Sequence, residues 1–136
     1  MTITNKELIQ KAKNICNPKT TIPLGVETGF VGCALLTKDN NIYLGVNMDV
    51  FCGIGFCAEH SAIAAMVTNK ESEIKKIVAY STRRKLVPPC GRCRELMIQI
   101  NEKNYNNTEV IIANNKSKKL KELLPDIWIK KKKNNL

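Results

Sequence analysis

The chain has 136 residues, 43% of them apolar, which suffices for one domain over 1–136 to bury a core without disulfide staples. No run of about 18 apolar residues offers a membrane span, and the first residues lack the apolar centre of a secretory signal, so a cytoplasmic protein is expected. The net charge of +10 raises the question of nucleic acid, but only 5% of residues are aromatic and these are scattered, which argues against a stacking platform for single strands. Much of the excess charge sits late, in the run Lys130 to Lys133, and residues 130–136 read as a solvated, frayed tail.

In chain order, Thr4-Asn5-Lys6-Glu7 fits a capping box. It predicts a helix with Leu8, Ile9, Ala12 and Ile15 on its apolar face, ending near Asn17-Pro18. Residues 18–29, with two prolines and two glycines, read as a loop. Val31–Thr37 and Ile42–Met48 are strands joined by the turn Lys38-Asp39-Asn40-Asn41, a β-hairpin. Asp49–Phe56 is expected to be irregular. Ala58 to about Asn69 is apolar nearly all round and predicts a buried central helix. Ile74–Ser81 is a strand, followed by a loop through Pro88-Pro89, a helix from Gly91 to about Asn101, a strand over Glu109–Ala113 and a short helix over Leu120–Leu124. Strands that alternate with helices after an initial hairpin predict an α/β fold, a mixed sheet with helices on both faces.

Two clusters about thirty positions apart carry the chemistry: Cys57-Ala58-Glu59-His60 and Pro89-Cys90-Gly91-Arg92-Cys93-Arg94. In a reducing compartment six cysteines stay as thiols, and this spacing favours a metal over disulfides. Cys90 sits at the mouth of one predicted helix with Cys93 one turn in, and Cys57 opens the other. Helix N-termini carry partial positive charge that favours thiolate. Three thiolates can hold Zn²⁺ and leave a fourth position for water, as catalytic zinc requires. Glu59, two residues past Cys57, can then move a proton to and from that water, whose pKa zinc lowers towards about 7. A closed set of Cys57, His60, Cys90 and Cys93 satisfies the same spacing and would be structural zinc without turnover. A third reading makes these cysteines small buried side chains.

At these motifs the chain resembles the cytidine deaminase superfamily, whose small members carry C-A-E at one helix start and P-C-G-x-C-R at the next. The resemblance extends to Phe30-Val31-Gly32-Cys33-Ala34-Leu35-Leu36, Gly45-Val46-Asn47-Met48-Asp49 and Leu123-Leu124-Pro125, and covers about residues 24–128. It implies a three-layer α/β/α fold with a five-stranded type of mixed sheet. Zinc on Cys57, Cys90 and Cys93 follows, with attack at C4 of a free cytosine nucleoside and Glu59 as proton shuttle. It also implies that Phe30 lines the pyrimidine pocket and that Asn47, with Asp49 in place of a glutamate, binds the ribose. The Ala58 N–H and the Cys90 carbonyl region would meet the ring edge. Members of this size are typically homotetramers whose sites are completed by neighbouring chains. His60 stands where many members have an arginine that offsets thiolate charge. The stretch Val50–Phe56 and the second cysteine motif are also similar to blasticidin S deaminases.

Arg92 is expected to meet a substrate carboxylate, a neighbouring subunit or solvent, and Arg94 to support a thiolate or a subunit contact. Arg83-Arg84-Lys85 reads as a charged loop, Trp128 as a packing residue or an aromatic that closes the pocket of an adjacent chain, and Cys16, Cys33 and Cys52 as small buried side chains. Three functions compete: a free-nucleoside deaminase, a closed zinc module without chemistry, and a deaminase acting on bases in nucleic acid. The last is weakened by the short chain, the few aromatics and the three-cysteine set.

Overall fold

A computed structural model describes residues 2–18 and 25–129; the lysine run and half of the proline-containing loop expected over 18–29 lie outside the described residues. The first helix, α1 (Asn5–Ile15), starts as its capping box dictates. The Thr4 hydroxyl accepts the Glu7 N–H at 3.2 Å, and the Glu7 carboxylate accepts the Thr4 N–H at 2.7 Å. The helix ends at Ile15, short of the expected Asn17, because Cys16 turns extended at φ −60° and ψ 134°.

Next come β1 (Glu27–Thr37) and β2 (Ile42–Asp49), paired antiparallel as the predicted hairpin. Asn40 takes the left-handed turn position at φ 65°, which asparagine tolerates. The chain continues through a 3₁₀ turn (Phe51–Gly53), α2 (Ala58–Thr68), β3 (Ile74–Ser81), β4 (Lys85–Val87) and α3 (Gly91–Ile100). It ends with α4 (Asn104–Asn107), β5 (Glu109–Ala113), β6 (Lys116–Lys119) and α5 (Leu120–Leu123).

The sheet runs β2-β1-β3-β5-β6, with β4 also on β3; β3 and β5 are parallel and the other pairs antiparallel. It is therefore the expected mixed α/β sheet, with six strands rather than five. Two of them left no pattern to find. β4 is three residues squeezed between Arg83-Arg84 and Pro88-Pro89. β6 reads Lys-Ser-Lys-Lys, and lysines on an edge strand deter pairing with another chain.

Alternation along the strands builds two cores. Cys33 and Leu35 of β1, Ile77 of β3 and Val110 of β5 pack with Ala62, Ile63 and Met66 of α2, Cys93, Met97 and Ile98 of α3, and Leu120 of α5. Ala34, Leu36, Val78 and Ile111 point the other way, to Leu8 and Ala12 of α1. Helices thus cover both faces, but one face carries most of them.

Glycine sets how closely α2 lies on the hairpin. A Cβ on Gly45 would stand 2.3 Å from the Ala62 backbone nitrogen and 2.8 Å from the Ala58 carbonyl oxygen, so only glycine lets β2 meet the first turns of this helix. The expectation that α2 is buried all round is corrected: Ala64 is exposed and Val67 is 47% exposed, because only one side of the helix meets the sheet. Trp128 is likewise no packing residue, being 81% exposed. Its neighbours Ile127 and Ile129 pack on the larger core, and in an extended segment the residue between them points outward. Among the other cysteines Cys33 is buried and Cys16 half-buried, whereas Cys52 is exposed in the 3₁₀ turn at φ 62°.

Candidate metal centre

Both helix mouths predicted from the cysteine motifs form and converge. Cys57 is the N-cap of α2 and Cys90 the N-cap of α3, each in extended conformation, and Cys93 lies inside the first turn of α3. The Cys57 and Cys90 sulfurs are 3.4 Å apart, as are those of Cys90 and Cys93. All three ligand atoms lie within 4.8 Å of one another. Around a tetrahedral ion with Zn–S of about 2.3 Å, sulfurs stand roughly 3.8 Å apart, so the cluster needs only a slight opening to hold zinc.

The electrostatics fit a cation as well. Burial pushes the Cys57 thiol up to about 11, helped by the neighbouring Cys90 sulfur. Burial, then the Glu59 charge, drives Cys93 far above the usual thiol range. Cys90 goes the other way: burial opposes ionisation, but the N–H groups of Cys93 and Arg92 and the adjacent thiols outweigh it and lower its pKa. Three crowded sulfurs beside a carboxylate cannot all ionise unless a cation sits among them, and a divalent ion supplies that charge.

Glu59 is only 5% exposed, in the first turn of α2. Burial raises its pKa, while its own backbone N–H and the Cys93 thiol favour the charged form. His60 settles differently from the four-ligand alternative. Its Nδ1 lies 3.5 Å from the Cys93 sulfur, but it is not one of the mutually close ligand group, which among the described residues is Cys57, Cys90 and Cys93. Burial, then the Arg92 charge, lowers its pKa and favours a neutral ring. The imidazole thus lies within hydrogen-bonding distance of one sulfur, outside the close three-sulfur group.

A cavity of about 460 Å³ opens onto this cluster, within the range of small-molecule sites. Phe30, Asn47, Asp49, Ala58, Glu59 and Cys90 all line it, so the structure brings the expected substrate-side residues to the metal ligands. The Asn47 amide oxygen accepts the Val31 N–H at 3.0 Å, which turns its N–H₂ group into the available donor. Asp49 stands exposed at the rim. The two arginines of the cysteine motif bond to backbone carbonyls, and Arg92 also lines the cavity. Arg92 donates to the Gly55 carbonyl at 3.2 Å and ties the 50–56 rim to α3. Arg94 donates to the Pro89 and Leu123 carbonyls at 2.8 and 2.9 Å, which fixes the approach to Cys90 rather than touching a sulfur.

One neighbour of the cavity escaped sequence reasoning. The Arg83 guanidinium stacks 4.3 Å from the centre of the Phe30 ring and is held by Glu27 at 3.0 Å. Thr82 adds two hydrogen bonds to the Phe30 carbonyl, at 2.9 Å from its N–H and 3.1 Å from its hydroxyl. These partners are more than fifty positions apart in sequence, and no motif marks them.

Residues 4–108 match the family model of the cytidine and deoxycytidylate deaminase zinc-binding region. A cytidine deaminase of Halalkalibacterium halodurans is 32% identical over 71 residues, covering 52% of this chain and 54% of that protein. A blasticidin-S deaminase of Bacillus cereus is 37% identical over 76 residues, covering 49% of this chain and 54% of that protein. The chain therefore spans about half the length of these curated relatives. The crystal structure of cytidine deaminase from Burkholderia pseudomallei superposes with a TM-score of 0.73 at 27% identity, covering 93% of this chain and all of that one.

Proposed function

This chain belongs to the cytidine and deoxycytidylate deaminase family, and on that premise we propose that it hydrolyses the exocyclic amine of a free cytosine nucleoside, giving the uracil nucleoside and ammonia. The observation that carries the proposal is the three-sulfur cluster with Glu59 buried beside it and His60 outside the ligand set. Cys57, Cys90 and Cys93 would hold zinc, which when bound would supply the acidity that makes water a nucleophile at neutral pH.

The chain's own groups do the rest. The Phe30 ring, steadied by Arg83, forms one wall for the pyrimidine. The free N–H₂ of Asn47 and the Asp49 carboxylate suit the sugar hydroxyls, and the Ala58 N–H and the Cys90 carbonyl suit the ring edge. Glu59 takes a proton from the attacking water and delivers it to ring N3 as the C4–O bond forms. It then passes the second water proton to the amine as the C4–N bond breaks, so ammonia leaves and the carbonyl remains. Burial of Glu59 keeps bulk water from competing for these protons.

Two finer readings rest on the same site. A blasticidin-type nucleoside is the second substrate, favoured by the likeness to the Bacillus cereus deaminase. We also infer a homotetramer, because Leu44, Met48, Phe51, Ile54 and Val67 leave large apolar side chains exposed on β2, the rim and α2, where a neighbouring copy would cover them. No described helix is long and apolar enough to cross a membrane, which accords with the proposed cytoplasmic setting.

Ammonia release from a panel of cytidine, deoxycytidine, cytosine, blasticidin S and an oligonucleotide tests the proposal. Turnover is expected on free nucleosides, and Glu59→Gln is expected to keep zinc while losing about 10²- to 10⁴-fold in rate. A Glu59→Gln enzyme as active as the parent on every substrate would sink the mechanism.

A further inference from the structure

A second cavity, larger than the one at the metal site, lies elsewhere on the described residues. A groove of about 730 Å³ lies on the opposite side of the sheet, between α1 and the β3–β4 turn. It is framed by Lys6, Ile9, Gln10 and Lys13 of α1, by Arg84–Leu86 around the start of β4, and by Ile112–Asn115 at the end of β5. Ile9, Tyr80 and Leu86 give it a half-buried apolar floor.

Its rim is cationic throughout. Lys6 and Lys13 come from one face of α1, and Arg84 and Lys85 from the turn into β4. No carboxylate lines the groove, and none of these four cations joins an ion pair among the described residues. Asn114 and Asn115 add amide donors at the β5 end. Four like charges around one concavity repel one another and focus a positive potential in it, which an anion relieves.

We propose that this groove binds a polyphosphate chain, either inorganic or carried by a nucleotide. Lysine ammonium groups are suited to phosphate as point charges, and amide N–H groups complete such sites. Consecutive phosphates offer about one or two negative charges each over a short length, which matches four cations on one cavity. The groove's volume suits a molecule of nucleotide size rather than a long strand. The Tyr80 ring already carries the Lys13 ammonium 5.7 Å from its centre, so it offers no open platform for successive bases.

The groove shares only Arg84 with the lining of the metal cavity, and the experiment keeps the two sites apart by leaving that residue unchanged. The zinc-loaded full chain is titrated calorimetrically with sodium tripolyphosphate and with adenosine triphosphate, which has no cytosine to occupy the metal site. Both are expected to bind, more weakly as salt rises. Equal affinities assign the site to the phosphate chain alone, and tighter adenosine triphosphate assigns it to a nucleotide seated on the apolar floor. Lys6→Ala/Lys13→Ala is expected to weaken binding about tenfold while cytidine turnover stays at the parent level, because neither lysine lines the metal cavity. Lys85→Gly removes a third charge at a position with φ 62°, where glycine fits the backbone, so it checks the result in a variant that stays folded. Absence of binding at about 0.1 M salt overturns the proposal. So does unchanged affinity in both variants, or affinity for oligonucleotides that climbs with strand length past that of tripolyphosphate.

Discussion

The face of the sheet under α2 and α3 and the face under α1 are made from alternate residues of the same strands, yet they are finished in different ways. On the first face two helix N-termini converge, and every strong perturbation of a metal-ligating thiol occurs there. On the second, one capped helix packs on the strands, and beside it lies a groove edged with cations. The difference teaches that chemistry here follows helix ends, not sheet composition. The strands supply an apolar floor to both sides, and only the side that receives two N-termini gains a metal centre.

Substitutions can break each face separately. The largest effect is expected on the metal side: Cys90→Ala should lose zinc and, with it, cooperative folding, read by metal analysis and thermal melting with and without added zinc. Glu59→Gln should follow, with the rate loss given above but a melting curve close to the parent's. Leu8→Ala strikes the other face. It removes a fully buried side chain from the core under α1 and should cost about 2–5 kcal/mol in chemical denaturation, while zinc content of the folded protein is unchanged. A loss of zinc in Leu8→Ala would mean that the two faces are not independent. Arg83→Ala should raise KM for the nucleoside about two- to fivefold with little change in kcat, since it frees the Phe30 ring without touching the reacting atoms. Arg83→Lys should restore part of that loss. Trp128→Ala should shift stability by no more than about 0.5 kcal/mol, as its exposure predicts.

Where signals were local, the chain announced its structure. The Thr4–Glu7 capping box, the hairpin turn at Asn40, the apolar run Val31–Thr37 within β1 and the two cysteine motifs each rest on residues close in sequence, and each formed where expected. Elements without a pattern were invisible. β6 is all lysine and serine and becomes a strand because β5 offers it an unpaired edge, and β4 is a strand because the chain must double back along β3. Burial was misjudged for α2 and Trp128, since apolar composition says what could be covered but not what stands opposite.

Spacing within single turns predicted that two helices would open with cysteine and that a carboxylate would follow one of them, and the likeness of these motifs to the deaminase family pointed to a zinc centre. Spacing within a helix turn is enough to aim a side chain, because local backbone geometry repeats. The packing of distant segments set what local spacing could not: His60 lies beside the Cys93 sulfur but outside the close three-sulfur group, Arg83 stacks on Phe30, and Lys6, Lys13, Arg84 and Lys85 share a groove. Those outcomes depend on distances between segments tens of residues apart, and such distances are set by how the strands order and the helices pack.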